Sequence, residues 1–397
     1  MSHIVRFSIF AFCLAFVLAL SQKKPFPTSL PNFKLQDPPN IQGESTLIRF
    51  SQLLHNQEAS AHASALLRKD STLLALFYAG SREGADDVKI YKSHLDLATP
   101  IESRTWSRPQ ILLTPEALSR LSGRFIRKLG NPSLVLDSNK RAHLFVVGVS
   151  LGGWATSRIY QFYFDENLEN IHYVGELKLS PFGNYSHLVR THGLAFEGGG
   201  FLLPFSHEMW HKFPLVGYFD LEGKLVGIKR LNDLKAQLQP SIAAIDSKQC
   251  VAFFRTNNRY NDEAYFQECD LGGASWSGVL TSNLHNYDSS VLLVSLGKEV
   301  VLIQNDGKTN PNLGAPDKNR NDRLSLSLYW LADRQKAHFE YLTTIDRVES
   351  GEVSYPSAAL DSDYLHLAYT YNRQTIKHAS LSIQAILRLI ESKKSSG

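Results

Sequence analysis

The strongest constraint on the fold is a unit that recurs six times along the chain. Each copy opens with a polar residue and a small or Pro-Ser pair. An apolar strand follows, then a turn with Asp, Gly, Ser or Asn, then a second strand. The copies are HASALLRKDSTLLALFYAG from His62, NPSLVLDSNKRAHLFVVG from Asn131 and HGLAFEGGGFLLPFS from His192. QPSIAAIDSKQCVAFFR from Gln239, DSSVLLVSLGKEVVLIQ from Asp288 and YPSAALDSDYLHLAYTY from Tyr355 complete the set. Starts lie 47 to 69 residues apart, the spacing of propeller blades with loops of variable length. A third strand ending in an acidic residue follows most copies, closing at Asp96, Asp165, Asp220 and Asp270. The pattern predicts an all-β fold, a six-bladed β-propeller of four-stranded antiparallel blades. Sustained helical periodicity is confined to residues 116–121 and to the tail, 381–392, whose stripe of Ile383, Ile386, Leu387 and Ile390 predicts one packed face.

The composition agrees with that prediction. At 43% hydrophobic and 20% charged residues, the 397-residue chain is neither disordered, collagen-like nor a polytopic membrane protein. Sixteen Tyr and 22 Phe against 2 Met suit pleated strands. A formal charge of +4 is too small for a nucleic-acid footprint.

Residues 7–20 (FSIFAFCLAFVLAL), preceded by Arg6, form an apolar run. As a helix it spans about 21 Å, short of the ~30 Å hydrocarbon core. The expectation is a signal peptide over 1–21, with an uncleaved membrane anchor as the alternative, and a secreted or periplasmic chain. Residues 22–45, rich in proline, read as an extended linker, and 46–397 as the propeller with its C-terminal helix. A monomer is expected. Of three cysteines, Cys13 lies in the apolar run. Cys250 and Cys269 are equidistant from the turn-rich stretch TNNRYND (256–262). Antiparallel strands joined there would set them opposite each other, where a disulfide is geometrically allowed; two buried free thiols are the alternative.

Topology alone locates a site. In an antiparallel blade the start of the first strand and the end of the second share one face. Closing six blades gathers His62, Asn131, His192, Gln239, Asp288 and Tyr355 at one mouth. It brings there also Arg82, Glu83, His207, Glu208, Arg255, Asp306 and Arg373. The opposite face carries ordinary solvated turns. Arg82, Arg255, Arg323 and Arg373 could hold a carboxylate or sulfate through paired N–H donors, or could clamp neighbouring blades through Asp and Glu. His62, His192, His207 and His378 add potential acids and bases. His207-Glu208-Met209-Trp210-His211 matches the His-Glu-x-x-His zinc pattern, but Pro204 and Pro214 bracket it too closely for the helix that chemistry needs. No metal or cofactor is expected. The long polar loop 305–320 could cover the mouth.

The chain resembles the sialidase-like family, whose members carry neuraminidase (Asp-box) repeats and form six-bladed propellers. The resemblance is carried by HASAL (62–66), SREGADDVKIYKS (81–93), TWSRPQ (105–110), GNPSLV (130–135) and LQPSIA (238–243). NDRLSLSL (321–328), VSYPSAAL (353–360) and YTYNRQTIKH (369–378) extend it over most of the chain. The Asp-box itself is degraded, with Asp270, Gly272, Ser275 and Trp276 keeping its flavour.

The resemblance implies an exported glycoside hydrolase that removes a terminal acidic sugar from a glycan. It puts the nucleophile at Tyr355 with Glu352 nearby, the acid at Asp87 or Asp86, and sugar-carboxylate contacts at Arg323 and Arg255. The sequence departs from the family at His62, where an arginine is expected, and at Gln239, where the glutamate that activates the tyrosine is expected. Those departures keep two alternatives open: a lyase or neutral-sugar glycosidase using His62 and Tyr355, and a glycan-binding propeller without turnover.

Overall fold

The computed structural model describes residues 5, 7–8, 10–12, 26–36, 46–180, 184–257, 262–306 and 323–396. Six antiparallel sheets are arranged as blades. Blade I comprises Ser60–Lys69, Thr72–Gly80, Lys89–Asp96 and Gln110–Leu113. Blade II comprises Lys128–Leu136, Ala142–Val149, Ser157–Phe164 and Ile171–Glu176. In blade III the innermost strand is split into His187–Leu188 and Leu194–Ala195, both paired with Phe201–His207, and Phe213–Phe219 and Leu225–Arg230 lie outside them. Blade IV runs Gln237–Ala244, Cys250–Thr256 and Glu263–Asp270, edged by Ser275–Trp276 and Leu280–His285. Blade V is Leu292–Leu296, Glu299–Asn305, Ser325–Asp333 and His338–Arg347.

Blade VI closes the ring. Val353–Leu360, Tyr364–Tyr371 and Thr375–Ser382 take their outer strand from the beginning of the domain, Ile48–Leu53, paired from Ile48↔Leu381 to Leu53↔Lys377. A sheet built from both ends of the domain cannot be completed until the whole circle has formed, so closure is cooperative.

Alternation on the strands explains the stacking. Every residue of Ala142–Val149 is buried, because an inner strand presents both faces to neighbouring blades. Six apolar clusters among the described residues fill the wedges between blades. The C-terminal helix, Ile383–Ser396, buries Ile383, Ile386 and Ile390 in the wedge of blades V and VI, as the apolar stripe predicted. The short helix Pro115–Ser122 is capped by Thr114, whose hydroxyl accepts from Ala117 N at 3.1 Å, and ends at Gly123 with φ +66°. Cys250 and Cys269 face each other across the second and third strands of blade IV and are disulfide-bonded.

Residues 26–36 are extended and lie against the turn face of blades III and IV. Leu30 N donates to Leu271 O, Phe33 N to Ser247 O and Lys34 N to Ala195 O, all at 2.7–2.8 Å. Phe33 is fully buried and stacks on Phe196 with ring centres 5.4 Å apart. Gly272 leaves room for this strap, since a Cβ there would meet Pro31 O at 2.4 Å, and its φ of +73° suits glycine. Truncating Phe33 to alanine should lower the unfolding free energy by about 3–5 kcal/mol in denaturant titrations. Leu35→Ala, on an exposed neighbour, should stay within about 0.5 kcal/mol of the parent.

Candidate functional site

The first strands of blades I, II, IV and VI each carry a register shift near the mouth: between His62 and Ala65, Gly130 and Pro132, Leu238 and Ser241, and Ser354 and Ser357. Ala63, Gln239 and Tyr355 sit at these shifts with φ of 53°, 43° and 56°. A bulge of this kind inserts one residue and re-aims the side chain beside it. Proline follows the re-aimed residue in three blades, at Pro132, Pro240 and Pro356. Proline needs no ladder partner for its nitrogen, which suits a position where pairing is interrupted.

Tyr355 is the centre of the resulting basin. Although it belongs to blade VI, it touches groups from four other blades. Arg255 of blade IV donates from Nη1 to the Tyr355 hydroxyl at 2.9 Å. The guanidinium of Arg190 lies 5.2 Å from the ring centre, and that of Arg323 lies 5.3 Å from it. The ring of His62, from blade I, packs at 4.2 Å.

The arginines are pre-arranged by acids and carbonyls. Arg255 Nε pairs with Asp288 at 2.8 Å, and its Nη1 also donates to Gln239 Oε1 at 3.1 Å. Arg323 donates to Asp288 O at 2.7 Å and lies 3.5 Å from Glu352. Arg373 pairs with Glu352 at 3.0 Å and with Glu83. Glu352, 5% exposed, also accepts from Ser354 Oγ at 2.6 Å. Three of the four expected arginines therefore converge.

Arg82 is different: it is exposed, and its carbonyl accepts from Ala85 N within the turn. The third cation at Tyr355 is Arg190, which sequence reasoning missed because the split inner strand of blade III begins at His187 rather than at His192. The available signal was the motif VRTHG, an arginine two residues before the expected strand start.

Several other assignments change. Glu352 is engaged by two arginines and a serine and lies 3.7 Å from His62 Nδ1, so it holds the cations in place. His62 is fully buried beneath Tyr355, with Nδ1 2.8 Å from Thr370 Oγ1, and supports the ring instead of facing a ligand. Burial pushes its pKa well below the ordinary histidine value, and Arg373, Arg323, Arg190 and Arg255 push the same way. Asp306 is fully enclosed in blade V, where Ser325 and Ser327 donate to its carboxylate. Among the described residues it acts as an acceptor within the blade. His207 stacks on Phe213 at 4.8 Å and meets His187 at 5.2 Å, contacts that lie within blade III.

Asp87 is exposed on the rim, accepting from Ser81 N and Oγ at 2.9 and 3.0 Å, while Asp86 pairs with Arg127 at 3.5 Å. Glu83 belongs to the cluster through Arg373. The zinc pattern fails, because Phe201–His207 is a strand and residues 208–211 form no helix. No group of three or more metal-ligating side chains occurs among the described residues. Residues 307–320 of the loop proposed to cover the mouth lie outside the described residues.

Two further rim residues bear on the site, Glu208, which topology had placed at the mouth, and Trp210. Glu208 is half-buried and accepts from Ser206 Oγ at 2.9 Å. Burial raises its pKa, against the opposing pull of Arg255 and Ser206. Trp210, two residues on, is 92% exposed with φ +57°.

The comparisons agree with this architecture. The model of the BNR repeat-like domain matches residues 71–367. The chain belongs to that family. No curated protein matches the sequence. Among solved structures, a Dyadobacter fermentans protein of unknown function is 14% identical over 84% of this chain and 98% of its own, with a TM-score of 0.64. The Hadza microbial sialidase Hz136 is 11% identical, covering 83% of this chain and 66% of its own, with a TM-score of 0.63. Trypanosoma rangeli sialidase is 13% identical over 88% of this chain, with a TM-score of 0.59, and the match spans 60% of that protein. The fold is that of a sialidase-like BNR propeller.

The buried histidines give the molecule an acid-sensitive core. His62, His187 and His378 are all held below the ordinary histidine value, His187 at about 4, with burial the first cause in each. The unfolded chain binds these protons first. Stability should therefore be full above about pH 6.5 and fall as the pH drops from there toward the folded values, each histidine adding a slope of about 1.4 kcal/mol per pH unit. Thermal unfolding between pH 4 and 8 should show this fall, and His378→Phe should flatten it.

Proposed function

We propose that the basin binds a carboxylate-bearing sugar at the end of a glycan and hydrolyses its glycosidic bond, with Tyr355 as the attacking group. The carrying observation is the convergence of Arg190, Arg255 and Arg323 on Tyr355. The exposed parts of Arg255, Arg323 and Arg373 offer N–H donors to a carboxylate, and Arg255 stands where negative charge would develop on the phenolic oxygen. A structural neighbour, T. rangeli sialidase, has been solved in complex with sialic acid, which supports this substrate class.

In the proposed reaction the Tyr355 oxygen bonds to the anomeric carbon as the bond to the leaving oxygen breaks, and water later releases the sugar. Asp87 on the rim would give the leaving oxygen its proton. Gln239 carries no charge and Glu352 is engaged by arginines. Glu208, close enough to Arg255 to feel its charge, is therefore assigned the proton of the Tyr355 hydroxyl. Trp210 would offer an apolar face to the sugar beyond the cleaved bond. A reaction run by His62 has no such support, because its ring is enclosed. Export of the chain, and its action as a monomer, are part of the proposal.

Release of sugar from sialylated or other acidic glycans should fall to background in Tyr355→Phe and by about 10²–10⁴-fold in Glu208→Gln, with loss of the acid limb of the pH profile. Arg323→Ala should raise KM by about 10–100-fold, whereas exposed Arg82→Ala should change it about five-fold or less. The pairing of Arg255, Arg323 and Arg373 by acids, together with Gln239, favours one second reading, a propeller that binds acidic glycans without cleaving them. Saturable binding with no product at any pH would select it.

A further inference from the structure

Below Tyr355 the axis of the propeller holds a small cavity of about 10 Å3, lined by Ser133, Arg190, Thr191, His192, Leu292 and Ser357 among others. That is room for roughly one water-sized occupant. Arg190 is 2% exposed and reaches across the axis from blade III. Its Nη1 donates to Ser64 O at 2.9 Å, and its Nη2 donates to Tyr355 O at 2.5 Å and to Pro356 O at 3.1 Å. Its Nε–H has no acceptor among the described residues. The other three basin arginines are each matched by a carboxylate: Arg255 by Asp288, Arg323 and Arg373 by Glu352, and Arg373 by Glu83 as well. Arg190 has carbonyls alone, and these satisfy hydrogen bonds without neutralising charge.

A buried charge without a counter-charge is costly, and the cost falls when an anion accompanies it. We propose that the axial cavity is a binding site for a small monovalent anion of the halide type, held by Arg190. The hydroxyls of Ser133 and Thr191 are committed as donors to Thr191 O and Pro240 O, so Arg190 is the principal donor of the site. Neither Tyr355 nor Arg255, Arg323 or Arg373 lines this cavity. An occupant there would offset one positive charge next to the Tyr355 ring and fix the guanidinium that holds the Tyr355 and Pro356 carbonyls. The burial that draws the Arg190 pKa down to about 10 agrees with the absence of a carboxylate partner.

The test needs no glycan, so its result is independent of the proposed reaction. Thermal unfolding of the full chain would be followed in sodium chloride or bromide and in sodium gluconate of equal ionic strength. Halide should raise Tm saturably, by about 2–4 °C near ten times its dissociation constant, and gluconate should not. Arg190→Met should lose the difference. Should that variant not fold, bromide-soaked crystals of the parent should show an anomalous peak within hydrogen-bond distance of Arg190 Nε. Coincident halide and gluconate curves, or a water refined at that place with no bromine signal, would overturn the proposal.

Discussion

The molecule depends on how its innermost strands are joined around the axis. Strands within a blade are held by backbone ladders, but among the described residues neighbouring blades share no ladder. Apolar wedges supply most of their attraction, and such contacts are non-directional. Direction comes from hydroxyls that follow the bulges. Ser64 and Ser357 meet at 3.0 Å across blades I and VI, and Ser133 donates to Thr191 O across blades II and III. Thr191 donates to Pro240 O across blades III and IV, and Leu293 N donates to Ser241 across blades IV and V. Each bond lies next to a bulge that turns a functional side chain toward the centre. The residues that hold the ring are thus chain neighbours of those that build the basin. A shift of one blade would move its basin residue with it.

The electrostatics of the basin follow from this packing. Arginines brought this close repel one another, and each must be offset where it stands. Glu352 does so for two of them from a buried position, and Asp288 for Arg255 from a more open one. Breaking such a pair by removing one partner costs more than the pair contributes, because the survivor stays buried and charged. The guanidinium forks are therefore held in place before any ligand arrives. In the proposed function a sugar carboxylate would meet donors that need little reorganisation, which is where binding sites of this kind gain their selectivity.

Much of this was legible in the residues. The six repeat copies, three of them opening Xaa-Pro-Ser, revealed both the blade count and the positions that face the axis, and Tyr355, Arg255, Arg323 and Arg373 all reach the predicted basin. What could not be read was the side of a strand on which a residue falls. Side chains alternate, and one inserted residue reverses the order. His62 and Asp306 lie at the right height on their strands and are yet enclosed, one beneath Tyr355 and the other between serines. Arg190 was hidden for a related reason. Blade III breaks its inner strand between Leu188 and Leu194, and the repeat copy recognised at His192 begins after the break. The strap at 26–36 looks in sequence like any proline-rich linker. Its burial depends on Phe196 and Gly272, far away along the chain.

The two faces of the ring divide the work. Second strands run toward the mouth and third strands run back, so every hairpin between first and second strands lies on the opposite face. The strap docks there, on the turns at Glu197 and Ser247, and Asn32 donates to Glu197. The outer strand of blade VI enters from the same side at Ile48, and the C-terminal helix leaves Ser382 there and lies on blades V and VI. The constraints of closure and chain attachment are thus concentrated where Asp137 and Asp361 tie down their turns by pairing with His143 and His366, at 3.1 and 3.0 Å. The mouth is relieved of both. Loops that follow the second strands, such as the one bearing Glu208 and Trp210, can vary in length without disturbing the ring. That freedom is what lets one scaffold carry different chemistry at its centre.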